Sequence, residues 1–226
     1  MRTLLFVAAL VACNPPAAPP PPPVEDVVFT SVFARGATTT APLIVALHGL
    51  GDTPANFARA FEDFPATAEI AVPRGVLAHM HGRAWYAWLP DATPEVQVAN
   101  LREADAKVWP AIVKHAHGRP IIVTGFSQGG VMAYAFAALH PTEVVAAFPV
   151  AGRLPSGLWP TKVAARVHAL HGVEDQVIPI DDDRRTNAAF AAVNPRCELS
   201  EYAETAHDFG AMRDALFEEL LDELAR

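Results

Sequence analysis

Apolar positions along the chain keep switching between short continuous runs and a helical spacing, and that alternation is the first thing to read. Residues 27–33, apolar but for Thr30 and Ser31, are typical of a strand, and residues 35–41 read as a turn. Residues 42–47 are apolar at every position, which suits a strand covered on both faces. Pro54 opens a helix to about Phe61, and residues 70–73 make a short strand. Residues 74–90 show no period but carry Trp85, Tyr86 and Trp88; irregular segments of that length are usually functional. A long helix starts at Thr93 with Val96, Leu101, Val108, Ile112 and Val113 on its apolar side, and Pro110 is expected to kink or split it.

Residues 120–124 are a β-branched strand, followed by an alanine-rich helix over 131–139. Strands are expected at 144–150 and 165–170, a helix with an acidic first turn at 181–193, and a last strand at 198–203. In the terminal helix Phe209, Met212, Leu216, Leu220 and Leu224 share one face, with Glu218, Glu219, Asp222 and Glu223 turned outward. Strands alternating with helices predict an α/β fold: a mostly parallel central sheet with helices on both faces. In such sheets a site lies beyond the carboxyl ends of the strands.

The first two dozen residues fall outside this pattern. A positive start, Met1-Arg2-Thr3, leads into an apolar stretch over residues 4–12 that is too short to span a bilayer. Leu10-Val11-Ala12-Cys13 resembles the lipobox of bacterial lipoproteins. That implies a signal peptide over 1–12 and lipidation of Cys13. Asn14 rather than aspartate then favours the outer membrane of a two-membrane cell, giving a lipid-anchored envelope protein; the alternative is a plain secretory signal. Residues 13–23 form a proline-rich spacer, and residues 24–226 remain for one domain. With Cys13 lipidated, Cys197 has no intramolecular partner and reads as a buried structural thiol. The chain carries a net charge of −8 without a Lys/Arg run, which argues against nucleic acid as a partner.

Candidate chemistry centres on Gly125-Phe126-Ser127-Gln128-Gly129, set between strand and helix. A strand that turns at once into a helix strains the residue between them, and glycines two positions away on either side relieve the crowding. The serine hydroxyl then stands clear, near the positive helix end, with the Gln128 N–H facing a developing oxyanion. Such a serine needs a base, and the base needs an acid to fix its tautomer. Asp175 follows the 165–170 strand directly, and His207 lies after the last strand and before the last helix. Glu174 is the adjacent competitor for the acid. His48 and His171 are expected to bond to local backbone, and Asp181, Asp182 and Asp183 to act as solvated caps. His79 and His81 form a pair without a nearby third ligand, so no metal and no cofactor is expected.

Four motifs in order carry a family resemblance: His48-Gly49-Leu50-Gly51-Asp52, the Ser127 turn, His171-Gly172-x-x-Asp175 with Val177-Ile178-Pro179, and His207. Together they resemble the phospholipase/carboxylesterase branch of the α/β-hydrolases, which includes acyl-protein thioesterases and small bacterial carboxylesterases. The resemblance spans roughly residues 40 to 226. It implies an α/β-hydrolase fold, Ser127 as nucleophile, Asp175 as orienter, His207 as base, and the N–H groups of Leu50 and Gln128 as oxyanion hole. It implies cleavage of a small-molecule ester or thioester through an acyl-enzyme. Leu50, Trp85 and Trp88 are the candidate pocket walls. The approach to the histidine, Glu204-Thr205-Ala206, lacks the family's usual glycines. A peptidase or a polyester- or feruloyl-type esterase on the same scaffold, and a silent surface binding protein, remain open.

Overall fold

The structure, a computed structural model, describes residues 27–33, 40–89 and 91–226. The expected signal peptide, lipidated Cys13, proline spacer and most of the 35–41 turn lie outside the described residues. Among those described, no helix is long and apolar enough to cross a membrane.

Among the described residues the seven predicted strands and five predicted helices appear in order, with two further strands inside residues 74–90: β1 (Phe29–Phe33), β2 (Leu43–Leu47), α1 (Pro54–Ala58), β3 (Glu69–Pro73), β4 (Leu77–His79), β5 (Gly82–Ala84), α2 (Pro94–Ala116), β6 (Ile121–Phe126), α3 (Gln128–Leu139), β7 (Val144–Val150), β8 (Arg166–Gly172), α4 (Ile180–Ala191), β9 (Cys197–Tyr202) and α5 (Phe209–Leu224). Seven strands form one sheet in the order β1-β3-β2-β6-β7-β8-β9. Only the β1–β3 pair is antiparallel. Strand β2 shows why a continuous apolar run fits such a sheet. Leu43, Val45 and Leu47 enter the core with α2 and α3, while Ile44 and Ala46 enter the core with α1 and α5.

Helix α3 lies close on the strand ends because its first turn is nearly bare. A Cβ on Gly129 would run into the Leu47 carbonyl, and one on Gly125 would meet the Gly129 carbonyl. Burial along α3 is continuous from Gln128 to Ala137.

Several expectations need correction, among them Val96 and Val113, which are exposed on α2 rather than part of its buried side. The 74–90 segment contains a hairpin, β4 paired antiparallel with β5. Its three-residue strands are too short to show a period. A Cβ at Gly82 would strike the Gly51 carbonyl, so the hairpin sits directly against the loop after β2. Helix α2 is not split at Pro110, which lies inside one continuous helix. Pro110 and Ala106, whose carbonyl loses its helical donor there, are both exposed, which leaves that carbonyl open to solvent. On α5, Glu219 and Glu223 do not point freely outward. Arg166 of β8 meets them, with Nη2 2.5 Å from Glu219 and Nη1 3.9 Å from Glu223. Met212, Leu216, Phe217 and Leu220 form the buried stripe of that helix.

Candidate active site

Ser127 occupies the turn between β6 and α3 with φ 56° and ψ −118°. A non-glycine residue at positive φ costs of order 1–3 kcal/mol and persists only where its surroundings fix it. Here the Ser127 N–H donates to the Val150 carbonyl at 3.0 Å, and its carbonyl accepts from Val131 N–H at 2.9 Å. The turn is thus locked to β7 on one side and to α3 on the other.

Asp175 lies three residues past β8 and is 4% exposed. Its Oδ1 accepts the N–H groups of Val177 and Ile178, each at 2.8 Å. Its Oδ2 lies 2.6 Å from His207 Nδ1. A carboxylate can only accept there, so Nδ1 carries the proton and Nε2 is left as the basic nitrogen. Glu174, the competing acid, is exposed. Its N–H instead donates to the Thr205 carbonyl at 2.9 Å, tying the acid loop to the histidine loop. A Cβ on Gly172 would collide with the Thr205 carbonyl, which shows how tightly those loops meet. The Phe126 ring packs on the His207 ring at 4.7 Å between centroids.

Ser127 and His207 face one cavity of about 280 Å³, walled also by Gly49, Leu50, Gln128, Trp88, Phe126 and Val177. The loop bearing Leu50 is held by Gly51 N–H donating to the Arg83 carbonyl of β5 at 2.8 Å. Of the three expected pocket walls, Leu50 and Trp88 line this cavity, and Trp85 does not. Trp85 is fully buried, and its indole N–H donates to the His48 carbonyl at 2.8 Å. It supports the Leu50 loop from behind; an indole with a buried acceptor in reach gains more there than at a wet wall.

His48 does bond its own loop, with Nδ1 donating to the Gly49 carbonyl at 2.8 Å. Its Nε2 accepts Gly75 N–H at 3.1 Å, so the ring is neutral, and burial holds its pKa below the ordinary value. His171 meets the expected backbone bond with one ring nitrogen only. Its Nε2 donates to the Ile178 carbonyl at 2.9 Å, but its Nδ1 lies 2.7 Å from Asp183 Oδ2. Asp183 is not a solvated cap: it is 0% exposed and accepts the Tyr134 hydroxyl at 2.6 Å. Burial opposes the imidazolium of His171. The hydrogen bond and charge of Asp183, the Ile178 carbonyl and Asp175 outweigh it and hold the His171 pKa above the ordinary value. The same ring stands 3.3 Å from Asp175 Oδ2, the oxygen shared with His207. A buried train of polar groups thus runs from Tyr134 through Asp183 and His171 to the carboxylate behind His207.

Two further features were not visible as site features in the sequence. The Gln128 side chain, noted only for its backbone N–H, accepts Trp85 N–H at 2.8 Å and donates to the Tyr86 carbonyl at 3.0 Å. It therefore fixes the segment that delivers Trp88. The other is Val177, which walls the cavity from the acid loop. Cys197 is free and buried, and burial pushes its thiol pKa up to about 11, well away from the site chemistry.

The profile of the phospholipase/carboxylesterase family matches residues 30–213. The chain belongs to the phospholipase/carboxylesterase family. Within reach of that family lies a rice protein (Oryza sativa subsp. japonica) described as a probable inactive carboxylesterase, 24% identical over 198 residues, covering 76% of this chain and 81% of that protein. Among solved structures, the esterase PE8 superposes with a TM-score of 0.74 at 17% identity, covering 87% of this chain and 99% of the other. Acyl-protein thioesterase 2 of Zea mays gives 0.68 at 20% identity, with 87% and 99% covered. These likenesses establish the α/β-hydrolase fold, and the family profile adds the hydrolase class.

Proposed function

We propose that this family member hydrolyses carboxylic ester or thioester bonds through an acyl-enzyme formed on Ser127. The observation that carries the reading is the Asp175–His207 pair at 2.6 Å, whose imidazole lines the same cavity as Ser127. His207 Nε2 takes the hydroxyl proton as Ser127 attacks the carbonyl carbon. The backbone N–H groups of Leu50 and Gln128 hold the tetrahedral oxyanion. The imidazolium returns its proton to the leaving alcohol or thiol. Water, deprotonated by the same nitrogen, then releases the acid. Asp175 holds the tautomer and compensates the transient charge on His207. No cofactor enters these steps.

The test is a panel of p-nitrophenyl esters of increasing acyl length, with thioesters, aryl esters and peptides, against wild type and Ser127→Ala. Turnover of esters that vanishes in the variant supports the reading; ester turnover retained without the hydroxyl removes Ser127 as nucleophile. The panel also separates the peptidase and feruloyl- or polyester-type alternatives. The rice relative's description as inactive favours one second reading, a binding protein with a silent site, which predicts no turnover of any member of the panel. We further propose that the chain is lipid-anchored at Cys13 in the bacterial envelope. Incorporation of labelled palmitate, lost in Cys13→Ser, tests that proposal.

A further inference from the structure

Beside the Ser127 cavity lies a second chamber of about 190 Å³, and Trp88 and Val177 are walls of both. Leu101 and Val131 supply apolar wall, while Gln97, Asn100, Arg153 and Asp182 supply polar wall. Resting on the esterase reading above, we propose that this chamber receives a part of the substrate that ends in a carboxylate, bound by the Arg153 guanidinium. The preferred substrates are then short esters or thioesters with an acid group a few carbons from the scissile bond.

Arg153 stands on a backbone that its neighbours fix. It follows the end of β7, where Ala151 takes φ 49° and Gly152 packs against the backbone of Gly130 so closely that a Cβ would not fit. Leu154 N–H then donates to Thr186 Oγ1 of α4 at 2.9 Å. The backbone bearing Arg153 is therefore fixed on both sides. Its Nη2 donates to Gln97 Oε1 at 3.1 Å, and Gln97 is itself oriented by donating to the Ala92 carbonyl at 2.9 Å. That is the one hydrogen bond of the guanidinium among the described residues. Its Nε stands 3.7 Å from Asp182 Oδ2, beyond hydrogen-bond range. A guanidinium has five N–H donors, so most of this fork is available.

Charge points the same way. The other oxygen of Asp182 is taken by Arg185. Within the chamber's lining Arg153 and Asp182 balance, and Arg185, which holds the other oxygen of Asp182 from just outside, adds one positive charge beside it in a chain whose overall charge is −8. A planar fork with spare donors and surplus positive charge matches a carboxylate in a two-point geometry. Asp182 also keeps the arginine from being a bare cation when the chamber holds only water. A long alkyl chain would have to desolvate this fork without replacing its hydrogen bonds, which is unfavourable.

The carboxylate can belong to the acyl half or to the leaving group, and two pairs of esters separate these sources. For the acyl half, the p-nitrophenyl monoester of glutaric acid is compared with the ester in which an isopropyl group replaces the carboxylate. For the leaving group, the acetyl ester of γ-hydroxybutyrate is compared with its isopropyl counterpart. A charge-assisted hydrogen bond corresponds to roughly ten- to hundredfold in kcat/KM. We expect that preference for the acid in one of the two pairs. It falls to about one in Arg153→Gln and is partly kept in Arg153→Lys. Because each ratio is taken within one protein preparation, loss of folded protein does not alter it. A ratio of one or less in both pairs, or a preference that survives Arg153→Gln, overturns the inference while Ser127-dependent turnover of the neutral esters leaves the esterase reading standing. Failure of every ester removes the esterase reading and this inference with it.

Discussion

Replacing His171 by leucine takes a cation out of a place that water does not reach. Asp183 then keeps the Tyr134 hydroxyl at 2.6 Å as its donor but loses the imidazolium at 2.7 Å. The Ile178 carbonyl loses its donor as well. Breaking a buried ion pair by removing one partner costs about 3–5 kcal/mol. Against a total stability of about 5–15 kcal/mol, that brings the variant near its margin. The pH dependence follows from the two groups. His171 is held above its ordinary pKa, so in the wild type its contribution is fully present below about pH 6.5 and is lost as pH rises through the raised value. Asp183 is already raised by burial, against the pull of His171 and Tyr134. Without the imidazolium it rises further, and the variant is relieved at acid pH, where the carboxyl is neutral. The deficit of His171→Leu is therefore largest between the titrations of Asp183 and His171 and smaller towards both acid and alkali. Urea unfolding followed by tryptophan fluorescence, at a series of pH values, measures it. A deficit below about 1 kcal/mol at neutral pH, or one that does not vary with pH, refutes the reasoning.

Two other variants probe the parts that support the site. Gln128→Leu leaves Trp85 N–H and the Tyr86 carbonyl without partners, at about 1–3 kcal/mol for each. Thermal unfolding should show that loss, and KM for a neutral ester should rise as Trp88 loses its support. Glu69, 7% exposed, accepts Ser31 Oγ–H at 2.9 Å, Arg119 Nη2–H at 2.8 Å, and lies 2.9 Å from His115 Nε2. Burial works against its charge, but those donors outweigh it and hold the carboxyl below the ordinary range. Its stabilisation is present above about pH 4.5 and is lost as pH falls through the depressed value. Glu69→Gln should accordingly lower stability near neutrality and flatten the acid limb of the stability profile, read by urea unfolding; an acid limb as steep as wild type contradicts this.

What could be read from the sequence was whatever depends on period and position along the chain. Ser127, Asp175 and His207 each follow a strand, and parallel strands bring such positions to one edge whatever the details of packing. The α5 stripe was visible because its spacing is helical throughout. Side-chain pairing across elements was not. Asp183 looked like one of three first-turn carboxylates, yet Ile180, Asp183, Thr186 and Phe190 form the buried face of α4. That spacing was the available signal that Asp183 points inward; only the fold supplies Tyr134 and His171 to receive it. Trp85 was ambiguous for a related reason: an indole suits a pocket wall and a core equally, and the His48 carbonyl decided between them. Glu219 and Glu223 looked solvated because Arg166 lies more than fifty residues earlier, on the neighbouring strand β8.

The central claim is that the hydroxyl at 127 is made nucleophilic by the Asp175–His207 pair. Reaction with a fluorophosphonate probe, with the adduct located by mass spectrometry, tests it most directly. The account predicts one adduct per molecule on Ser127, with labelling lost in His207→Gln while that variant keeps the wild-type circular dichroism. An unlabelled Ser127 in folded wild-type protein, or labelling that proceeds as fast without the imidazole, contradicts it.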